Sequence, residues 1–401
     1  MVYCVNQMIN RIKQLRLAKG LSLEQLAASM GGIVTKQAIS KYENNLTKPA
    51  LRVSTKLAKV LGVQPMDLWR QPAINVKFVA YRKRASLSKR DQGYLEAFVS
   101  SKLEQRCRLQ ESCFPAPFEV PLEAFPAPDE HRAEQAAEKL RDQWKLGVDP
   151  IADVVAILED HKVHVIEIRA AEQFDGISAV AYDEANKPQA AAVVSRSGVP
   201  GDRQRLNLAH KLGHLVLKVP HHGDPERLAF RFGAAFLAPA ASFKREAGDK
   251  RTSVSIDELL ILKKRFKMSI QAILRRFLDL QIIAPSYYKD WCITISKMGW
   301  RKKEPFEIKP EKPEWLKMTV GRCLAEGFLT LRQAQDILGE KLEHKDSSGL
   351  VRRRKIAKLS LRERRRILKQ QANQIAHHYE GDSSWRGLES EGMIDHDIKE
   401  P

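Results

Sequence analysis

The first 65 or so residues are cut into short helical segments by glycines and prolines, and this punctuation constrains the fold more than any other feature of the chain. Ile9, Ile12 and Leu15 form an apolar stripe at helical spacing, and Gly20 ends it. Ser22 with Gln25 three residues later has the pattern of a capping box, opening a second helix that buries Leu23, Leu26 and Ala27. After Met30-Gly31-Gly32 a third helix is predicted from Thr35 to Glu43. Pro49 opens a fourth, carrying Leu51, Val53, Leu57, Ala58 and Leu61, and Gly62 stops it ahead of a last short turn, Pro65-Met66-Asp67-Leu68-Trp69. Helices this short are marginal alone and gain stability by packing their apolar faces together. A small five-helix bundle is the expected product.

The third helix has the chemistry to read DNA. Thr35, Lys36, Gln37, Ser40 and Lys41 form its polar side, whereas Ala38, Ile39 and Tyr42 face inward. Glutamine can pair bidentately with adenine and lysine can reach guanine, and Asn44 and Asn45 at the helix end are expected near backbone phosphate. The chain carries a net charge of +19, and the first 72 residues hold eleven Lys/Arg against three Asp/Glu, a balance that attracts polyanions. The segment L-S-L-E-Q-L-A-A-S-M-G through T-K-Q-A-I-S-K-Y-E to L-A-K-V-L-G-V resembles the lambda-repressor/Cro-like (XRE) family over residues 7–70. The resemblance implies a helix-turn-helix domain over residues 1–72, with double-stranded DNA as partner, transcription regulation as role and a homodimer as binding form.

Residues 73–130 have a mixed pattern: a strand-like Val76-Lys77-Phe78-Val79, a helix near 88–110 and a proline-rich stretch. They read as a connector. A second folding unit, 131–284, begins with an alanine-rich helix to Trp144 and a helix carrying Val154, Val155 and Leu158. Strands are expected at Val163–Ile168, Ile177–Tyr182 and Ala190–Ser195, then helices at Arg203–Leu217 and Pro225–Phe236. The fold class is therefore multidomain: an all-α helix-turn-helix domain, an α+β domain, and a mostly helical C-terminal region from 285 to 401.

His210 and His214 in N-L-A-H-K-L-G-H-L-V-L are four residues apart, so on a helix both imidazoles project from one face and can share a metal. Glu226 on the next helix is a plausible third ligand, and Ala229, Gly233 and Ala234 are small enough for close helix packing. Two nitrogens and a carboxylate leave a fourth position open, the arrangement of a catalytic zinc site. Residues 131–281 resemble the ImmA/IrrE family of metallopeptidases, through P-I-A-D-V-V-A-I-L-E, F-D-G-I-S, the histidine helix and the segment from Glu226 to Pro239. The resemblance implies a zincin-like fold with zinc on His210, His214 and Glu226. The chain departs from the family's H-E-x-x-H motif at Lys211, which occupies the general-base position; a charged lysine cannot accept a proton from the attacking water. His221, His222 and Asp224 are further candidates as base or ligand, with a polar surface loop as their plainer reading. Three functions follow: a regulator whose impaired peptidase domain serves as a sensor, an active zinc endopeptidase that cleaves a repressor or antitoxin partner, or an antitoxin whose central domain is structural scaffold.

Ten Lys/Arg stand against the single acid Glu363 between 352 and 369, and Leu361 to Tyr379 reads as a helix. The tail from Leu359 onward is similar to those of small bacterial antitoxins, which implies a toxin or other protein partner; a basic amphipathic helix lying on DNA or on the body of the protein is the plainer reading. No apolar run approaches the roughly 18 residues that a membrane span needs, and the N-terminus lacks a secretory pattern, so a cytoplasmic protein is expected. The five scattered cysteines, without C-x-x-C spacing, predict free thiols.

Overall fold

The computed structural model describes residues 10–80, 88–113, 124–170, 174, 176–342, 360–366 and 368–370. The chain divides into two units, residues 1–324 with 328–340, and residues 325–327 with 341–401.

The first unit opens with α1 (Ile12–Ala18), α2 (Leu23–Ser29), α3 (Lys36–Glu43), α4 (Leu51–Leu61) and a 3-10 turn at Pro65–Leu68. The caps are those expected: Ser22 and Gln25 form the reciprocal box, and Gly62 closes α4 with φ +72°. Ile12, Leu15, Leu26, Met30, Ile39, Leu57, Ala58, Leu61 and Leu68 meet in one core. Inside it, Arg16 binds both carboxylate oxygens of Glu43 at 2.6 and 2.9 Å and the Leu21 carbonyl at 2.8 Å, tying α1 to α3 and to the start of α2. Leu51, expected on the apolar stripe, is instead 82% exposed, because as the first residue of α4 it precedes the turn that meets the core.

The stretch read as a connector is structural. It supplies strand β1 (Asn75–Ala80) and the 25-residue helix α5 (Lys89–Cys113). After β2 (Phe125–Pro126), α6 (Glu130–Gln143) and α7 (Val154–Asp160) come strands β3 (Val163–Ile168), β4 (Ile177–Tyr182) and β5 (Pro188–Arg196). The four longer strands form one mixed sheet in the order β1-β4-β5-β3, with β3 parallel to β5 and the other pairs antiparallel. Side chains alternate across it. Ile166, Ile168, Ile177, Ala179, Ala181, Ala190, Ala192 and Val194 pack against Leu95, Val99, Leu103 and Cys107 of α5. Val163, Val165, Ala191 and Val193 face the opposite core. Burial on both faces is why these strands are apolar almost throughout.

The opposite layer holds α8 (Gly201–Val216), β6 (Leu217–Lys218), α9 (Pro225–Leu237), α10 (Ala240–Ala247), α11 (Ile256–Phe266) and α12 (Ile270–Asp279). Then come α13 (Pro285–Lys297), α14 (Trp315–Ala325) and α15 (Leu331–Leu338). The packing runs through the boundary expected at 284/285. Trp291 and Ile295 of α13 enter the core, and the Glu311 carboxylate accepts from the Val154 and Val155 amides while pairing with Arg205. The helix-turn-helix bundle is joined to the α5 side of the sheet, where Arg11 on the N-terminal edge of α1 makes a buried, bidentate pair with Glu104 of α5.

One sequence expectation is corrected here. Cys113 of α5 and Cys323 of α14, expected as free thiols, are joined as a disulfide with their Cα atoms 6.1 Å apart; 210 residues separate them in the chain, so no local spacing announces the pair. Cys107 and Cys292 are free thiols, and burial pushes that of Cys107 up to about 12. Among the described residues no helix is long and apolar enough to cross a membrane. In the second unit residues 361–366 are helical, with the Ser360 amide and hydroxyl both donating to Glu363; most of the tail compared with antitoxins lies outside the described residues.

Candidate nucleic-acid interface and metal centre

The residues proposed to meet DNA lie on and beside α3. Thr35 is its N-cap, its hydroxyl accepting from the Ala38 amide at 3.2 Å. Lys36, Gln37 and Lys41 are exposed and Ser40 is half-buried, while Ile39 is fully buried beneath them. Ala38 and Tyr42 are half-buried, and Tyr42 packs against the bundle core. Lys36 is held by Glu24 of α2 at 2.7 Å, an exposed pair that raises the lysine pKa and lowers that of the carboxyl. Such a surface pair is weak enough to open for a phosphate. Asn44 donates to the Ser40 carbonyl at 2.9 Å, and Asn45 takes the left-handed conformation, φ +57°, accepting from the Asn10 amide group. Both asparagines thus terminate the helix as well as standing exposed at its end.

The sequence-predicted metal ligands converge. His210 and His214 are one turn apart on α8, and Glu226 lies in the first turn of α9. Their ligating atoms all fall within 4.8 Å, and this is the cluster of potential ligands found among the described residues. The two Nε2 atoms are 3.0 Å apart, His210 Nε2 is 3.3 Å from one Glu226 oxygen, and His214 Nε2 is 3.6 Å from the other. A tetrahedral zinc with bonds of about 2.0–2.1 Å places its ligand atoms roughly 3.3–3.4 Å apart, so these side chains are spaced to fit one ion. The protonation states also suit. Burial, reinforced by His210 and Lys211, depresses the His214 pKa to about 3, and the hydrogen bond from His210 holds Glu226 at about 2, giving a neutral imidazole and an ionised carboxylate.

Lys211 is only 4% exposed. Its carbonyl accepts from the Ser178 hydroxyl of β4 at 2.8 Å, and its side chain runs past Gly176, where an added Cβ would lie 3.3 Å from Lys211 Cε. The same Cβ would meet the Val194 carbonyl at 2.5 Å, and Gly176 has φ +139°, so glycine is what admits the lysine stem here. Asp224 proves to be the N-cap of α9, accepting from the Glu226 and Arg227 amides, while His221 and His222 are exposed in the preceding turn. None of the three belongs to the ligand cluster. Sequence reasoning missed Phe230, whose ring stacks on His210 at 3.8 Å while remaining 44% exposed. Its position four residues after Glu226 puts it on the same face of α9, a signal that was available.

The trio depends on two helices touching almost backbone to backbone. A Cβ on Gly233 of α9 would meet the His210 amide nitrogen at 2.9 Å, and one on Gly213 of α8 would meet Phe232 at 3.0 Å and Ala229 at 3.1 Å. Gly233→Ala should therefore cost about 1–3 kcal/mol through overpacking, whereas Gly321→Ala in α14, with nothing within 4 Å, should be neutral or stabilising by roughly 0.5–1 kcal/mol. Thermal unfolding of the two variants side by side checks this. Equal melting temperatures would contradict the close approach.

Comparison with known proteins finds matches for two stretches of the chain, one in the short-helix bundle and one in the α+β region. Residues 12–68 match the helix-turn-helix family model, and residues 159–278 match the IrrE N-terminal-like domain. The chain thus joins a helix-turn-helix domain of the XRE type to an IrrE-like domain. It is similar to the SPbeta prophage-derived uncharacterized HTH-type transcriptional regulator YonR of Bacillus subtilis (strain 168), with 40% identity over 53 residues, 13% of this chain and 47% of that protein. The chain spans about half the length of the curated relative it matches.

Proposed function

We propose that the protein is a sequence-specific, DNA-binding transcriptional regulator whose IrrE-like domain binds zinc and acts as a sensor rather than as an efficient peptidase. The observation that carries the DNA-binding part is the exposed polar row Thr35, Lys36, Gln37 and Lys41 at and beyond the N-terminus of α3, over a buried Ile39. The helix-turn-helix match and the described class of the relative support it. In this reading the N-terminal residues of α3 reach base edges in the major groove, while neighbouring basic groups hold phosphates.

Gel-shift titration against fragments carrying the selected operator tests the proposal. Gln37→Ala and Lys41→Ala should each lose about 1–3 kcal/mol of discrimination between operator and random duplex. The wild-type affinity should fall linearly with the logarithm of salt concentration. A protein with no preferred duplex, or with Gln37→Ala and Lys41→Ala indistinguishable from wild type, would end the regulator reading.

The sensor part rests on the spacing of His210, His214 and Glu226 and on the residue between the histidines. Bound zinc would supply Lewis acidity toward a carbonyl or water oxygen. Lys211, in the place of the proton acceptor, is what argues against the active endopeptidase as the principal activity. We further assign the protein to the cytoplasm as a homodimer, with the C-terminal tail contacting a toxin or other protein partner; these points are carried by the family resemblances.

A further inference from the structure

Two side chains beside the candidate metal cluster take no part in holding an ion, and each bears on what else could bind there. Lys211, between His210 and His214 in sequence, carries a positive charge into a place that is only 4% exposed. That charge reaches the rest of the cluster, since it helps to depress the pKa of both His214 and Glu226. With a zinc ion in place, the charges of Lys211 and Glu226 cancel, and the charge of the dication is left uncompensated within this group. A glutamate at position 211 would instead bring the same group to neutrality. Excess positive charge in a largely buried place is costly until an anion joins it. The lysine therefore changes the favoured ligand from a neutral carbonyl to an oxyanion.

Phe230 narrows the class of anion. Its ring stacks on that of His210, with the centroids 3.8 Å apart and the planes 25° from parallel, yet much of the residue stays exposed. It lies on the face of α9 that carries Glu226 one turn earlier. The side chains of His210 and His214 are nearly buried, whereas that of Glu226 is 23% exposed. Among the described residues the cluster thus meets solvent on the side of α9, where Phe230 stands with an apolar surface uncovered. Single exposed apolar side chains are ordinary. One stacked on a candidate metal ligand is placed to cover part of whatever the ion binds, and an acid with an apolar group gains from that contact where an inorganic anion does not.

We propose that Lys211 and Phe230 make the zinc-loaded cluster a receptor for a carboxylic acid bearing an apolar or aromatic group. The carboxylate occupies the position left open by His210, His214 and Glu226, within the field of Lys211, and the apolar group lies against the exposed part of the Phe230 ring. This inference rests on the zinc reading and deepens it, giving the sensor a ligand class. It also gives the lysine a role of its own in the place where a proton acceptor is lost. Binding alone is involved, and no bond of the acid is made or broken.

The test titrates full-length protein of measured zinc content with 3-phenylpropanoate and with acetate, followed by calorimetry. A cobalt(II)-loaded sample gives a second readout, because its visible absorption changes when a carboxylate enters the coordination sphere. 3-Phenylpropanoate should bind about tenfold more tightly than acetate, the worth of covering roughly 50–60 Å² of apolar surface. At equal metal content, Phe230→Ala should erase that preference and leave acetate binding as it was, and Phe230→Leu should restore most of it. Lys211→Met, which keeps the buried stem and drops the charge, should weaken both acids about tenfold or more. The tripeptide Ala-Ala-Phe, with its amide as control, distinguishes a peptide carboxy terminus from a free acid as the source of the ligand, and binding of either supports the proposal. Equal affinity for the two acids, unchanged binding in Lys211→Met, or undiminished binding by metal-free protein would overturn it. Protein that retains zinc but binds no acid defeats this inference alone, whereas protein that retains no zinc defeats the zinc reading and this inference with it.

Discussion

Zinc-loaded protein carrying Lys211→Glu is expected to hydrolyse an unstructured protein substrate, such as labelled denatured casein, about 10² to 10⁴-fold faster than the wild-type chain. The position is favourable for this. Lys211 follows His210 of the candidate metal cluster directly, its backbone is pinned by Ser178, and its side chain is buried beside Gly176 rather than extended into solvent. It lies near enough to His214 and Glu226 to help hold both pKa values down. A carboxylate there could take the proton of the attacking water; the ammonium cannot while charged, and it adds a second cation beside a bound dication. The comparison is made at equal zinc content, with His210→Ala placed in the Lys211→Glu background to define zero. Wild-type cleavage matching that of the Lys211→Glu protein would show that another group supplies the base, and the sensor reading would give way to the endopeptidase.

His214→Ala should lower zinc affinity by 10²-fold or more, since even residues that only orient a ligand are worth about 10 to 100-fold. Two observations motivate this size. The three ligand atoms are already at ion-binding distances from one another, and the imidazole is neutral and ready to bind without losing a proton. Metal content after dialysis against a weak chelator gives the first readout, with about one zinc per wild-type chain expected. Thermal stability gives a second, independent of any activity. Free zinc at about 100 times Kd should stabilise the wild type by about 2.7 kcal/mol and leave His214→Ala nearly unmoved. Wild-type protein that neither retains zinc nor is stabilised by it would reduce the trio to a structural hydrogen-bonded cluster.

Much of this molecule is legible in local pattern. The predicted strands Val163–Ile168 and Ile177–Tyr182 have the observed limits, and the capping box at Ser22 and the stop at Gly62 are in place. The helix read from Pro225 to Phe236 runs one residue further, to Leu237. These features depend on residues within a turn or a strand of one another. The histidine pair is of the same kind, because i,i+4 spacing on a helix dictates a shared face. What failed were inferences that required knowing which distant segment comes alongside. The 73–130 stretch looked like a connector because its strand has only two packing side chains, Val76 and Phe78, and its long helix has a weakly segregated pattern. That helix is buried on two sides, by the sheet and by α1, so it carries no clean polar face.

Local chemistry written along the chain thus determined the helix-turn-helix bundle, the strands, the histidine face and the lysine lodged between the two histidines. Tertiary structure alone decided that Cys113 meets Cys323 and that β1 closes the edge of β4. The physical reason is that each of these depends on how closely two remote backbones approach. That distance is set by packing, as where Gly213 and Gly233 let α8 and α9 come together, and not by any period in the sequence.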